Sequence, residues 1–451
     1  MTKKNISEKS FFERVPHAIT IVFFIILLVT GMTYILPAGT YERINLDGRS
    51  TVVPGSYKVI DSTPIGVLEM FKAIPLGFKS ASEIIFIVLA GGIMFGFMEK
   101  SKAIENAIGT LIKKMGLKRK YLIVVIMTFT YGLLGVSVGL ENNIALIPVA
   151  AVLSLALGGD LILAAGISVG AMTIGFGLSP INPYTIGTGH KIAELPMFSG
   201  AFLRAILCSV GLAVMAFYNV RYFKKIILND QESLAIGLNT KNLTLSKPIK
   251  DYSLSITNWS IIGIFVLGLI LIIYGVFNLD WHINELSAVF LIIAFLTGLF
   301  SKMGGNSMSK IVLESVAVAA PGAFMVGFAT TIKVLMEMGN IGDTISYQLS
   351  IILEGLPLYL SAICMSISQS FINFFIPSGS GQALATLPVM IPLGESLGLN
   401  RQITILAFQV GDGLTNLINP TLGGLIAMLS MSRVPIDRWI RFIFPVLIVL
   451  I

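Results

Sequence analysis

Charge is what this sequence has least of. Of its 451 residues only 12% are Asp, Glu, Lys or Arg, while 55% are hydrophobic. A soluble domain carries roughly 25% charged residues, so the chain lacks the polar surface that water requires. That excludes a soluble enzyme, and the same shortage argues against a nucleic-acid partner. The formal net charge of +7 does not revive the latter, because basic residues in a membrane protein mostly set topology. Cysteine is nearly absent. Cys208 and Cys364 both lie inside apolar runs and read as small buried hydrophobes. The three histidines, His17, His190 and His282, are too scattered for metal-ligand spacing. No small-residue cleavage site follows the first apolar run, so a retained helix is expected there rather than a signal peptide. No cofactor is expected.

Long apolar runs are what the chain has in their place. A span needs about 20 apolar residues, and a re-entrant arm needs fewer. Segments 18–37, 83–98, 198–218, 257–277, 285–301 and 312–330 read as spans, and 439–451 as a last one. Segment 38–80 is polar and ends in a surface-skimming stretch, and 331–358 is amphipathic. Cations cluster before residue 15, at 99–120, at 221–256 and at 433–441. Such clusters mark the cytoplasmic side, which places the N-terminus there. Parity then constrains the apolar arms 121–139 and 144–158. They must enter the membrane and return to the same side, with Glu141-Asn142-Asn143 at the tip. Arms 359–376 and 383–397 form a second such hairpin. Segments 161–189 and 402–431 are spans interrupted by Gly and Pro, around 175–185 and 411–421.

The two halves resemble each other. Segment 83–97 aligns without gaps on 314–328, matching Glu83, Gly91, Met94, Gly96 and Phe97 to Glu314, Gly322, Met325, Gly327 and Phe328. Leu146-Ile147-Pro148-Val149 aligns on Thr386-Leu387-Pro388-Val389. Residues 177–185 (Gly-Leu-Ser-Pro-Ile-Asn-Pro-Tyr-Thr) parallel 413–421 (Gly-Leu-Thr-Asn-Leu-Ile-Asn-Pro-Thr). The topology runs the two copies in opposite directions. Inverted repeats with discontinuous helices meeting at the midplane are a feature of secondary transporters. The fold class expected is therefore an all-α polytopic membrane protein: an inverted-repeat secondary transporter with two re-entrant hairpins and two broken transmembrane helices. The expected division is 1–80, 81–220 (first repeat), 221–310 (cytoplasmic loop and scaffold spans) and 311–451 (second repeat).

Irregular backbone within a membrane is tolerated only where it is buried in protein or lines a wet cavity. Both hairpin tips and both breaks therefore become candidate binding elements, supplying half-helix N-termini, freed carbonyls and small polar side chains. The candidate substrate- and ion-binding residues are Glu141, Asn142, Asn143, Ser179, Asn182, Ser378, Gly379, Ser380, Asp412, Thr415, Asn416 and Asn419. Two of them are carboxylates, Glu141 and Asp412. An acid at membrane depth is expensive and usually marks a substrate, ion or proton site. The coupling ion is expected to be Na⁺, with Asn143 and Asp412 as its ligands, or H⁺. No Lys or Arg falls in the four elements. This tilts the expected substrate toward one with an ammonium group, such as an amino acid. Arg204 is expected to snorkel or to pair with Glu194; its alternative is a clamp for a substrate carboxylate. Glu83 and Glu314, near helix starts, read as structural. A channel and an intramembrane enzyme are the rival classes, and the scattered histidines disfavour the second.

At these residues a family resemblance appears. Val15-Pro16-His17, an apolar span, then Leu36-Pro37-Ala38-Gly39-Thr40-Tyr41-Glu42-Arg43 resemble the start of the YfcC-like branch of the anaerobic dicarboxylate carrier (DcuC-type) family. Residues 376–382 (Ile-Pro-Ser-Gly-Ser-Gly-Gln), 408–413 (Phe-Gln-Val-Gly-Asp-Gly) and 416–421 (Asn-Leu-Ile-Asn-Pro-Thr) resemble that family's C-terminal signature. The resemblance covers nearly the whole chain and implies a multi-pass carrier of the bacterial inner membrane. The wider ion transporter superfamily implies a scaffold domain, a mobile domain with two hairpins, elevator-like motion and often a homodimer. Its sodium–dicarboxylate members carry Ser-Asn-Thr at each hairpin tip. The matching tips here read Glu141-Asn142-Asn143 and Ser378-Gly379-Ser380. Relatives in this branch are described both as dicarboxylate carriers and as basic amino acid antiporters. Together these readings give a transporter or antiporter of a small carboxylate-bearing metabolite, an amino acid ahead of a four-carbon dicarboxylate. Its expected partners are that substrate and the bilayer, with no nucleic acid.

Overall fold

The computed structural model describes residues 18–46, 49–53, 55–138, 140–279, 281–353 and 357–451. Nineteen α-helices occur among them. The first half holds α1 (Ala18–Ile35), α2 (Val67–Ser80), α3 (Ser82–Lys100), α4 (Ala103–Met115), α5 (Lys120–Val138) and α6 (Ile147–Ala156), then α7 (Leu161–Ala165), α8 (Ala171–Gly177), α9 (Thr188–Ile192) and α10 (Ala201–Leu228). The second holds α11 (Ile256–Asn278), α12 (Ile283–Phe300), α13 (Gly305–Met338), α14 (Gly342–Leu353) and α15 (Leu358–Asn373), then α16 (Gly379–Ser396), α17 (Arg401–Thr415), α18 (Gly423–Met431) and α19 (Ile436–Leu450). By length and composition α3, α10, α12 and α13 can each cross a membrane. The protein is a mostly helical, multi-pass membrane protein.

Helix ends follow local chemistry. The side chain of Asp160 caps α7 by accepting from the Leu163 amide, and Asn400 caps α17 from Ile403. Ser255 and Asn258 close a capping box at α11. Small residues set the closest packing. Gly92 and Gly96 of α3 face Ala319 and Ser315 of α13, with no room for a methyl group. Around that pair gather α1 and α2, which contact α13, and α12, which contacts α3; α11 lies against α12. In a second group α5 packs on α8 and α10, while α15 and α16 pack on α17. The groups meet where α13 touches α18 and where α3 touches the 3₁₀ turn Glu141–Leu146.

Four expectations need correction. The chain is not wholly helical: β1 (Gly39–Thr40) pairs antiparallel with β4 (Lys58–Val59), and β2 (Arg43–Leu46) with β3 (Arg49–Val52). The signal was present in the sequence as an Asp-Gly pair between alternating residues. The segment expected to begin as an amphipathic unit at 331 is instead the end of α13, which runs on to Met338 and stops before Gly339. Lys333 and Glu337 lie one turn apart there, and their aliphatic neighbours are buried. The breaks are narrower than expected. Leu161–Gly177 is one rod with a π-helical turn at Gly166–Gly170, and it yields at 178–182. The second break spans 416–422, which leaves Gly411, Asp412 and Gly413 inside α17. Finally, Arg204 does not pair with Glu194.

Candidate functional site

The two broken helices meet at one point, just before their breaks. Gly177 ends α8, and a methyl group built on it would lie 2.7 Å from the carbonyl carbon of Gly413. The converse holds for Gly413 against Gly177. These glycines are equivalent in the internal alignment. Two residues earlier in each half, Gly175 abuts the backbone of Gly132 on α5 and Gly411 that of Ser366 on α15. A side chain at any of these positions would push the backbones apart, so glycine is required there for close approach.

Around the crossing, amides hold the irregular backbone. Asn373, at the end of α15, donates to the Asp412 carbonyl (2.7 Å) and to Asn416 Oδ1 (2.8 Å). Asn419 donates to the Asn373 carbonyl and accepts from the amide and hydroxyl of Thr421. In the first half Asn182 Oδ1 accepts from the Thr185 amide and Asn182 Nδ2 reaches the Phe176 carbonyl. Ser179 Oγ donates to the Val136 carbonyl, and Asn143 Nδ2 to that of Leu134. Buried polar groups pair in this way because an orphan costs ~1–3 kcal/mol. A longer strut reaches the same place: Arg204 Nε donates to Gln409 Oε1 (2.9 Å), and Gln409 Nε2 donates to the Ser179 carbonyl (2.7 Å). The Arg204 guanidinium also reaches Gln402 and the Ser199 carbonyl, and Glu194 pairs with Arg401.

A cavity of about 380 Å³ opens beside this core. Its wall takes Ser378, Gly379 and Ser380 from the start of α16, and Asn416 and Thr421 from the second break. Leu140, next to the expected first tip, and Phe176, next to the first break, complete that side. The opposite wall is Glu83 of α3, His282 before α12, and Thr330 and Lys333 of α13. Asn284 Nδ2 donates to Glu83 Oε1 at 2.8 Å, and Lys333 Nζ stands 3.7 Å from Glu337. Ser378 caps α16 by accepting from the Gly381 amide, so this helix start faces the cavity. A helix N-terminus favours a carboxylate. The wall thus presents cationic and anionic side chains together with hydroxyl and amide groups.

The expected residues divide accordingly. Ser378, Gly379, Ser380 and Asn416 line the cavity. Asn143, Ser179, Asn182, Asp412, Thr415 and Asn419 lie behind it, each nearly or fully buried. Asp412 Oδ2 would stand 3.5 Å from a methyl group on Gly379, which puts the carboxylate just behind the start of α16. The side chains of Glu141 and Asn142 lie outside the described residues, as does Gly139. Sequence reasoning missed Lys333, His282 and Thr330 and assigned Glu83 to structure. Lys333 removes the premise that the site holds no cation. The i,i+4 spacing of Lys333 and Glu337 gave no hint of a cavity facing Lys333.

A second, smaller cavity of about 110 Å³ is lined by Glu314 and Ser315 of α13, Gly92 and Gly96 of α3, and Leu243 and Arg433. Glu314 is the residue that aligns with Glu83.

Comparison with known proteins gives a family. The model described as "C4-dicarboxylate anaerobic carrier" (DcuC) matches residues 15–451. A protein of Escherichia coli (strain K12) named "Putative basic amino acid antiporter YfcC" is 27% identical over 94% of this chain and 92% of its own. An uncharacterized protein of Haemophilus influenzae is 25% identical over 96% and 94%. Among solved structures, the Neisseria gonorrhoeae efflux pump MtrF covers 97% of this chain and 93% of its own, at 16% identity and a TM-score of 0.42. The Alcanivorax borkumensis transporter YdaH covers 96% of each chain at 17% identity and a TM-score of 0.44. Both solved structures are too distant to carry fold or function across.

Proposed function

The chain belongs to the C4-dicarboxylate anaerobic carrier family, and we propose on that ground that it is a transporter rather than an enzyme and moves a small carboxylate-bearing metabolite across the cytoplasmic membrane. An amino acid is placed ahead of a four-carbon dicarboxylate. One observation carries the reading. A single cavity gathers the second hairpin tip, the second break and the flanks of the first tip and first break. The start of α16 and Lys333 suit a carboxylate, and Glu83 suits an ammonium group. A wall with both signs fits a zwitterion better than a dianion. The name given to the E. coli relative agrees with this choice. The dicarboxylate reading is kept because the family's own description favours it, and Lys333 is a cation for a second carboxylate.

The mechanism proposed is alternating access. The unit of α5–α10 and α15–α19, with both hairpins and both broken helices, moves against a scaffold of α1–α4 and α11–α14 in the manner of an elevator. The contact between Gly177 and Gly413 supports an inverted repeat, since equivalent residues meet at a two-fold axis. The unequal cavities at Glu83 and Glu314 support a conformation open toward Glu83. Asp412 is proposed to hold the coupling ion, Na⁺ with Asn143, or H⁺ on its own carboxyl.

Exchange of labelled substrate across proteoliposomes, screened with amino acids and dicarboxylates with and without Na⁺, tests the proposal. Counterflow is expected for one of the two classes, and ohmic flux without exchange overturns the carrier reading. Asp412→Asn is expected to abolish or uncouple transport in a protein that still folds. Wild-type rates with unchanged ion dependence would remove Asp412 from the site.

A further inference from the structure

A strongly basic groove lies away from the transport cavity, between the end of α10 and the start of α19. Its volume is about 940 Å³, and its charged lining is Arg221, Lys225, Arg438 and Arg441 against Glu232 and Asp437. Several of these charges are already engaged. Lys225 pairs with Glu232 at 2.8 Å, and the Arg438 guanidinium donates to the carbonyls of Leu234 and Ile236. Arg221 and Arg441 are exposed, and among the described residues neither has a carboxylate within ion-pair distance. Two guanidinium groups on different helices thus face one groove with their donors unclaimed by acids. A planar, five-donor guanidinium fits phosphate oxygens closely.

The apolar residues beside them follow an order that a free anion does not need. Helices α10 and α19 run antiparallel: Tyr222 meets Phe442 edge-on at 5.0 Å between ring centroids, and Gly211 lies beside Leu450. Residues three, four and seven apart share a helix face. One turn back from Arg221 stands Phe217, and one and two turns on from Arg441 stand Phe444 and Ile448. All three are exposed large hydrophobics. Both helices therefore present a cation in the groove and, beyond its lining, bare apolar side chains further along the same helix face. Charged head outside and hydrocarbon inside is the profile of a phospholipid. The cations sit where the charge bias marks the cytoplasmic side, whose leaflet carries anionic lipid.

We propose that this groove binds an anionic phospholipid, with its phosphate held between Arg221 and Arg441 and an acyl chain along Phe217, Phe444 and Ile448. The site joins the last helix of the first half to the last helix of the second. It does not depend on which substrate the transport cavity takes.

The test is retention and stabilisation of the purified full chain by phosphatidylglycerol, set against phosphatidylcholine and against inorganic phosphate. Native mass spectrometry and the apparent melting midpoint are the readouts. Wild type is expected to retain phosphatidylglycerol and to melt higher with it than with phosphatidylcholine. At about 1 kcal/mol per basic residue near an anionic headgroup, Arg221→Gln with Arg441→Gln should weaken retention ~30-fold. Arg221→Lys with Arg441→Lys keeps the charge and should lose less, which separates headgroup recognition from damage to the fold. Lys114→Gln with Arg119→Gln removes two exposed cations elsewhere and should change nothing. Equal loss in that control would reduce the effect to the general field of the basic face and overturn the site. Reproduction of the whole effect by inorganic phosphate, or no preference of wild type for phosphatidylglycerol, would overturn it as well.

Discussion

Arg204 shows how a single residue can be legible in kind and illegible in role. A cation inside an apolar run had to be buried or to snorkel, and it is buried, at 3% exposure. Its partners are neutral: Gln409, Gln402 and the Ser199 carbonyl. The two glutamines lie some two hundred residues away, and no local pattern announces such a pairing. Arg204→Met would leave those acceptors without a donor, at ~1–3 kcal/mol each, while relieving the desolvation of the charge. The expected net loss is about 2 kcal/mol, read as a lower apparent melting midpoint in detergent. Arg204→Lys should recover only part of it, since one ammonium cannot span the fork of acceptors. The same limit hid Lys333. Its charge was plain, but the wall it faces is built from residues of both halves. Asp412 stands out in the sequence because an acid beside glycines in an apolar run is rare, and its role as an ion site remains a proposal.

Among the elements, the internal alignment rests on small and polar residues that recur at matched positions. The breaks were placed too wide for the same reason. A Gly-rich stretch reads as irregular, although Gly175, Gly411 and Gly413 are helical and glycine serves there to let backbones touch. Gly413→Ala adds a methyl group where the Gly177 backbone already sits. It is expected to lower the yield of folded protein or, where the fold survives, to stop transport. Gly263→Ala in α11 meets nothing within 4 Å and should be neutral or stabilise by about 0.5–1 kcal/mol. Equal effects of the two changes would show that the crossing is not tight. The strands at 39–59 escaped the reading for a different reason. They are only two to four residues long, so the Asp-Gly pair was their one local signal, and Asp343 braces them, its carboxylate accepting from the Tyr41 amide and from Arg43.

At the level of the whole molecule, the segment between the halves is fastened to both. Glu105 of α4 accepts from the amide and hydroxyl of Ser246, from Tyr252 and from Lys102. Arg433 donates to the carbonyls of Asn239 and Lys241, and Asp160 accepts from Ser233. Burial pushes the Glu105 carboxyl up, but those donors outweigh it and hold the group at about 2 against an ordinary 4.5. A lowered carboxylate stabilises the folded state above its unfolded value and loses that contribution as pH falls toward the folded one. Hydrogen-exchange protection across 239–252, corrected for the pH dependence of intrinsic exchange, should therefore fall as pH drops from 4.5 toward 2. Glu105→Gln should show low protection already at neutral pH and a flat profile. A wild-type profile in that variant would free the segment from Glu105. The cavity at Glu83 has one more consequence. At about 380 Å³ it lies near the floor of the ~300–1,000 Å³ range of small-molecule sites. Under the proposed function it is expected to sieve by bulk before any charge is read, admitting a single amino acid or short diacid and excluding a nucleotide or an oligopeptide.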